Sequence, residues 1–190
     1  MTIIGRATVN NAGDIAKVYV DTWRSTYAGI LPDKGLVGMS YERQTAEWAW
    51  LIRNRGDAQP VIVASEEKHG ILGFTSIGIS RASARPQGGP FAEARVGEVY
   101  TLYIRPEHQN RGLGRQLLAA GFGTLAERGC NRVFVWVLRD NPACFFYERM
   151  GGVPVAERRE RVWGRDLDEV AYGWPDLKSA IARIGSCSTI

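Results

Sequence analysis

The sequence has little of what metal sites, disulfide frameworks and membrane spans are built from. Its 190 residues include 3 cysteines and 2 histidines, with no Cys-x-x-Cys pair, so no metal site is expected. Cys130, Cys144 and Cys187 show no paired spacing, which favours a reduced, cytoplasmic protein. No apolar run approaches the ~20 residues that cross a bilayer, and no signal-peptide pattern opens the chain, so no membrane association is predicted.

Dense charge of one sign is also missing. The net charge is +4 without a Lys/Arg block, so nucleic acid is not expected as a partner. The chain is 45% hydrophobic and 23% charged, which is typical of one globular domain with a sizeable core.

Hydrophobic periodicity predicts mixed α/β structure. The predicted strands are 3–9, 60–65, 71–79, 94–104, 132–138, 153–163 and 168–174. The last two are candidates for a hairpin. The predicted helices are 14–27, a segment opening at 31–33, 41–53, 113–125, 141–150 and a weak C-terminal helix. Residues 81–92 hold two prolines and two adjacent glycines and are predicted to form a loop.

A glycine-rich corner stands between a predicted strand and a predicted helix. Its residues are Gln109, Asn110, Arg111, Gly112, Leu113, Gly114 and Arg115. The first N–H groups of a helix lack intrahelical partners and carry the positive end of its dipole, and glycines let an anion approach the main chain without meeting a Cβ. The corner therefore predicts a phosphate site made of backbone N–H groups and two arginines. An ordinary capped helix start is the alternative.

Three motifs in this order resemble the GNAT superfamily of acetyl-CoA-dependent N-acetyltransferases. They are Glu98 with Leu102-Tyr103-Ile104, then Gln109-x-x-Gly112-x-Gly114, then Asn141-Pro142-Ala143 with Phe146-Tyr147-Glu148 and Gly151. The resemblance covers roughly residues 2–175. It implies one domain over 1–175 with a mixed, mostly antiparallel central sheet and flanking helices, followed by a short helix and flexible tail over 176–190. Two central strands, 94–104 and 132–138, are expected to splay apart around the pantetheine arm of acetyl-CoA.

The same resemblance implies how the cofactor is held. Residues 109–115 are expected to bind its pyrophosphate, and the backbones of Leu102, Tyr103 and Ile104 its pantetheine amides and thioester carbonyl. Asn141 is expected to hydrogen-bond the pantetheine arm. Asn141 also suits the N-cap before Pro142, and the strand residues would look the same in any apolar strand.

Two residues are catalytic candidates by resemblance. Tyr147, four residues before Gly151, is the expected general acid that protonates the coenzyme A thiolate. Glu98, eleven residues before Gln109, is the candidate general base for the ammonium substrate. Four strand residues separate Glu98 from Leu102, about 13 Å at ~3.3 Å each, so direct proton transfer is too long and a bulge or a water chain is required. A core aromatic and a plain strand carboxylate are the alternative interpretations.

Trp23 and Tyr27 lie one helical turn apart and share a face. In the resembled family the first helices wall the acceptor pocket, so these aromatics are candidate substrate contacts, with core packing as the alternative. The acceptor is an amine of a metabolite, an antibiotic, a toxin or a protein N-terminus, and the sequence does not distinguish among them. Homodimers are common in that family.

The resemblance predicts transfer of an acetyl group to a primary amine by direct attack. A non-catalytic acyl-CoA sensor of the same fold is the alternative, against which the presence of both Glu98 and Tyr147 argues. A dinucleotide-binding oxidoreductase is excluded, because Leu117 stands where the third glycine of its fingerprint belongs and the strand and helix order is wrong.

Overall fold

The computed structural model describes residues 1–87, 89–92 and 95–186, so Cys187 and the predicted tail over 187–190 lie outside the described residues. Within them the chain forms seven strands and six α-helices. The strands are β1 (Ile3–Arg6), β2 (Val61–Glu66), β3 (Gly70–Ile79), β4 (Val96–Ile104), β5 (Arg132–Leu138), β6 (Val153–Val162) and β7 (Arg165–Trp174). The helices are α1 (Ala12–Thr26), α2 (Asp33–Val37), α3 (Tyr41–Arg55), α4 (Leu113–Glu127), α5 (Ala143–Arg149) and α6 (Leu177–Ser186).

The strands form one sheet in the order β1-β2-β3-β4-β5-β7-β6. Pairing is antiparallel for β1–β2, β2–β3, β5–β7 and β6–β7, and parallel for β4–β5. The predicted mixed, mostly antiparallel sheet with flanking helices is therefore confirmed. No helix formed by the described residues is long and apolar enough to cross a membrane.

The contacts within the chain define two compact units. The first comprises Met1–Ser76 and Thr101–Ala120, and the second comprises Ile77–Tyr100 and the chain from Gly121 onward. These two units do not test the predicted domain boundary at residue 175, which stays a prediction. A helix does follow that position, and α6 buries Leu177, Ala180 and Ile184.

In the first unit, α1 and α3 supply the apolar face that covers the sheet. Ile15 and Val18 on α1 are fully buried, and Trp48 on α3 packs edge-on against Phe74 of β3 with ring centroids 5.0 Å apart. The α3 N-terminus is capped by Ser40, whose hydroxyl accepts the Arg43 N–H at 3.2 Å. This packing holds the side chains of α1 and α3 in fixed positions against the strands.

In the second unit, β4 and β5 pair over a short distance only. The parallel register runs from Val96 opposite Arg132 to Glu98 opposite Phe134. Within the described residues of this unit, β5 continues to Leu138 without further pairing to β4, while its other edge pairs with β7 from Val133 to Leu138. The predicted separation of these two strands begins directly after Glu98.

Two local predictions were wrong in detail. The segment 81–92 contains two 3₁₀ turns, Ala82–Ala84 and Gly89–Ala92, because Phe91 is an apolar anchor that packs against Phe134. The last strand begins at Arg165 rather than 168. Trp163 and Gly164 both have positive φ, 49° and 84°, which is the requirement of a tight two-residue hairpin, so no longer loop is needed between β6 and β7.

Candidate active site

The glycine corner of the first unit is built from left-handed backbone positions. After β4 the chain makes a 3₁₀ turn over Pro106–His108, and Asn110 and Gly112 then have φ of 59° and 81° before α4 begins at Leu113. A Cβ at Gly112 would meet no atom within 4 Å. Glycine is therefore required there by the backbone conformation and not by packing.

The corner exposes a run of backbone donors. The first hydrogen bond of the turn is from the Gln116 N–H to the Gly112 carbonyl at 3.1 Å, and within residues 1–87, 89–92 and 95–186 the N–H groups of Arg111 through Arg115 have no acceptor. The Arg111 and Arg115 side chains likewise make no hydrogen bond or ion pair to any described residue. This combination of helix N-terminus, free N–H groups and two cations is suited to a phosphate.

The end of β4 presents alternate residues to opposite edges. The Arg105 N–H donates to the Leu72 carbonyl at 2.8 Å, so Arg105 and Tyr103 point their main-chain groups toward β3. The Tyr103 carbonyl accordingly lies 2.7 Å from where a Cβ on Gly73 would be. Leu102 and Ile104 point their N–H groups to the other edge, and they are the members of the predicted trio with the orientation needed to bind a cofactor through the backbone.

Aromatic side chains from α1 gather around Tyr103. The Trp23 indole N–H donates to the Tyr103 hydroxyl at 3.0 Å, and the rings of Trp23 and Tyr27 lie 5.0 Å apart. Tyr19 meets Tyr103 edge-on at 5.5 Å. Burial raises the pKa of Tyr103 and of Tyr19, so both phenols stay protonated at neutral pH. The structure thus brings the two predicted substrate contacts together with one predicted cofactor residue.

Tyr147 is held firmly in the second unit. It lies on α5, is 5% exposed, stacks on Tyr172 with ring centroids 6.2 Å apart, and meets Trp174 edge-on at 6.3 Å. The Gly152 N–H donates to the Tyr147 carbonyl at 2.9 Å and closes the end of the helix. Its ring is therefore fixed by packing, as both interpretations of this residue require.

Asn141 prepares the start of α5. It is 8% exposed, and its side-chain oxygen accepts the Ala143 N–H at 2.9 Å, while its own N–H donates to the Leu138 carbonyl at 2.9 Å. The N-cap of α5 is Pro142, without a side-chain hydrogen bond, so Asn141 closes the turn one residue before the position expected from the sequence. The proposed contact with a pantetheine arm is a separate, compatible role.

Glu98 is a buried carboxylate. It is 9% exposed, and its Oε2 atom has no hydrogen-bond partner among the described residues. Burial raises the pKa of Glu98, and this effect is opposed by the Ser80 hydroxyl, Arg158 and Arg81. A carboxylate with an unpartnered oxygen and a raised pKa is a better proton acceptor than an exposed one.

The sequence did not identify the neighbours of Glu98. The sheet registers place Glu98, Phe134, Trp136, Glu169 and Arg158 on one face. The Arg158 guanidinium carbon lies 4.2 Å from the Trp136 ring centroid, and its Nε donates to the Glu169 Oε2 at 2.6 Å. The alternation of side chains along β6 indicates that Arg158 lies on one face of that strand. It could not show which side chains of the other strands lie on the same face.

Two further observations limit the chemistry. Burial raises the pKa of the Cys144 thiol, which makes it a poor nucleophile. Within the part of the chain that the structure describes, no three His, Cys, Asp or Glu side chains form a group that could hold a metal ion.

Comparison with known proteins defines the class. The sequence model of the Acetyltransferase (GNAT) family matches residues 15–152, well over half of the chain. The protein therefore belongs to the GNAT family of acetyltransferases and is an acyltransferase, which confirms the family and the enzyme class expected from the three motifs.

Individual relatives agree with this class. The chain is 36% identical over 179 residues to the uncharacterized N-acetyltransferase YuaI of Bacillus subtilis, covering 94% of this chain and 96% of that protein. It is 32% identical over 121 residues to the mycothiol acetyltransferase of Amycolatopsis mediterranei, with 63% of this chain matching 37% of that longer protein.

Solved structures show the same fold at low identity. The acetyl-CoA complex of yncA from Salmonella typhimurium has a TM-score of 0.65 at 23% identity, with coverage of 93% of this chain and 94% of that one. The coenzyme A complex of the paia N-acetyltransferase from Thermoplasma acidophilum has a TM-score of 0.63 at 19% identity, with coverage of 92% and 99%.

Proposed function

We propose that the protein transfers the acetyl group of acetyl-CoA to a primary amine by direct attack, without a covalent acetyl-enzyme. The observation that carries the proposal is the run of N–H groups from Arg111 to Arg115, which have no acceptor among the described residues, together with the Arg111 and Arg115 side chains, which have no partner there either. Such a run binds a diphosphate through charge-assisted hydrogen bonds. Similar proteins bound to coenzyme A or acetyl-CoA support the choice of ligand.

The strand end supplies the next contacts. Because the Arg105 N–H donates to β3, strand alternation directs the main-chain groups of Leu102 and the N–H of Ile104 away from β3, where they can pair with the amides of a pantetheine arm as an added strand would. A main-chain N–H in this position also stabilises the oxyanion that forms on the thioester carbonyl. Gln109 completes this end of β4, because its side-chain amide donates to the Ile104 carbonyl at 3.1 Å.

The reaction needs one base and one acid. Glu98 takes a proton from the ammonium form of the acceptor, and the free amine then attacks the carbonyl carbon and forms the C–N bond. When the tetrahedral intermediate collapses, the C–S bond breaks and the thiolate takes the phenolic proton of Tyr147, while the proton lost by the attacking nitrogen passes through solvent to the phenolate and restores the phenol. Because about 13 Å of strand separates Glu98 from Leu102, the proton travels to Glu98 through water.

The burial of Glu98 favours an enzyme over a non-catalytic sensor. A buried acceptor without a partner costs about 1–3 kcal/mol, and more when it is charged. A domain that only binds acyl-CoA gains nothing from this cost. The acceptor site would be walled by Trp23 and Tyr27, whose rings offer an apolar and cation-binding surface.

A thiol-release assay with acetyl-CoA across a panel of amines tests the function. We expect Tyr147→Phe to lower turnover by about 100-fold, the usual range for a general acid, with little change in coenzyme A affinity. Tyr172→Phe is the matched control, because it removes the hydroxyl of the stacked neighbour, which donates to Glu148 at 2.8 Å. Equal turnover of Tyr147→Phe and the parent would remove Tyr147 as the acid, and absence of thiol release with every amine would refute the activity.

A further inference from the structure

The surroundings of Arg158 define an anion site beside the proposed base. The guanidinium is held flat on Trp136 by a 4.2 Å contact and fixed in direction by the 2.6 Å bond from its Nε to Glu169. Trp136 is itself fixed, because its indole N–H donates to the Ala84 carbonyl at 2.7 Å. An arginine held on two sides in this way is already in place for a ligand.

The free edge of this arginine points to a ligand. Neither Nη nitrogen of Arg158 has a hydrogen-bond partner among residues 1–87, 89–92 and 95–186. The side chain is 35% exposed, so a small molecule can reach it. Guanidinium Nη groups bind carboxylates in a bidentate manner. A purely structural role, joining β6 to β7 through Glu169, would use only the Nε edge.

The distance from Arg158 to Glu98 fits a short bifunctional molecule. Glu98 is the register partner of Phe134, and the guanidinium lies over Trp136, two residues further along β5. Two strand residues span about 7 Å along β5, and β4 lies about 4.8 Å to its side, so the two groups are about 8 Å apart. A carboxylate bound to Arg158 at about 2.9 Å places the nitrogen of an α-amino acid roughly 3 Å nearer to Glu98, where a water can join the two.

From this geometry we infer that the acceptor is a small amino carboxylate, whose carboxylate is bound by Arg158 and whose amine is joined to Glu98 through water. The inference rests on the proposed acetyl transfer and names its substrate class. The charges also match. Glu98 and Glu169 face Arg158 and Arg81, so a zwitterion adds no net charge to this face, whereas a simple amine leaves an excess positive charge.

The test compares acceptors that differ only in the carboxylate. Leucine and leucinamide have nearly the same shape, and isoamylamine lacks the group altogether. We expect leucine, or another amino acid tested with its amide and amine, to have kcat/KM about 10–100-fold above its neutral counterparts, the worth of one charge-assisted pair. Arg158→Gln should remove this preference through KM, and Arg158→Lys should restore part of it. Rates are compared on the pH plateau, since removing Arg158 also shifts the Glu98 pKa.

Arg159→Gln is the matched control. Arg159 is the next residue on β6 and is 70% exposed in an ion pair with Asp168, so its loss should leave the preference intact. Thermal unfolding of both variants checks that they fold. The inference is overturned if leucinamide equals or exceeds leucine, or if Arg158→Gln lowers both to the same degree.

A binding experiment separates this inference from the proposed activity. Calorimetry titrates leucine, then leucinamide, into the protein saturated with coenzyme A. Binding of leucine that Arg158→Gln abolishes supports the ligand class even where no amine is acetylated. No binding of amino acids, together with acetylation of simple amines, retains the activity and refutes the carboxylate site.

Discussion

Replacing Glu98 with glutamine tests whether its buried carboxylate is kept at the expense of stability. Glutamine has the same shape and no charge. Glu98 is 9% exposed, its Oε2 has no partner in the described part of the chain, and burial is the largest cause of its raised pKa. Removing the charge relieves desolvation of about 1–3 kcal/mol but loses the attraction to Arg158 and Arg81. We therefore expect a net gain of about 1–2 kcal/mol in the free energy of unfolding at pH 9.

The gain should depend on pH in a defined direction. The folded-state pKa of Glu98 lies above its unfolded value, so the native protein holds this proton more tightly than the unfolded chain does. The parent therefore loses stability as pH rises through the folded pKa, whereas Glu98→Gln does not. The loss begins near the unfolded pKa and is complete above the folded pKa, which burial and the polar groups Ser80, Arg81, Arg158 and Glu169 set.

Urea unfolding of the parent and of Glu98→Gln between pH 5 and pH 9 measures this difference in the free energy of unfolding. In thermal unfolding, each kcal/mol corresponds to about 2–4 °C in Tm for a chain of this length. Glu160→Gln is the control, because Glu160 is exposed on the same unit and should give the same stability as the parent throughout. A loss of stability at pH 9, or a gain that does not change with pH, would refute the reasoning.

Three further predictions concern the reaction and the cofactor. Glu98→Gln should lower kcat/KM most at low pH, where the amine is most protonated, and a pH-independent loss in the rate profile would indicate substrate positioning instead. Gly112→Ala should weaken coenzyme A binding by about tenfold in calorimetry, because a methyl group enters the path of the anion. Gly164→Ala is the control, because Gly164 has a nearly identical φ of 84° and a Cβ there would meet no atom within 4 Å. Equal effects of the two substitutions on coenzyme A binding would contradict the assignment. Arg115→Gln should reduce the salt dependence of coenzyme A binding, since a screened charge is removed, and an unchanged salt dependence would show that Arg115 does not contact the phosphates.

Local patterns in the sequence predicted the fold well wherever one short segment decides the structure. The strand at Arg132–Leu138 has the predicted bounds, and the corner follows β4 and precedes α4 as expected. The hairpin turn at Trp163 and Gly164 was not predicted, because a tryptophan with positive φ is uncommon.

The neighbours of Glu98 could not be predicted, because they depend on register. A register shift between Pro154 and Ala156 changes which residues of β6 pair with which residues of β7. A register shift of one residue moves the side chains of a strand to the opposite face of the sheet. Arg158 and Arg159 are therefore equivalent in the sequence, although only Arg158 stacks on Trp136. The packing of Phe91 against Val96 and Phe134 is likewise long-range and could not be predicted from local patterns.

The central claim is that the N–H groups from Arg111 to Arg115 bind the diphosphate of the cofactor. The most direct measurement is the set of backbone amide resonances of these five residues during titration with coenzyme A and, separately, with pantetheine, which lacks the diphosphate. The account predicts large downfield shifts of these amide protons with coenzyme A and little change with pantetheine. Saturation with coenzyme A that leaves the five amides unmoved would contradict it.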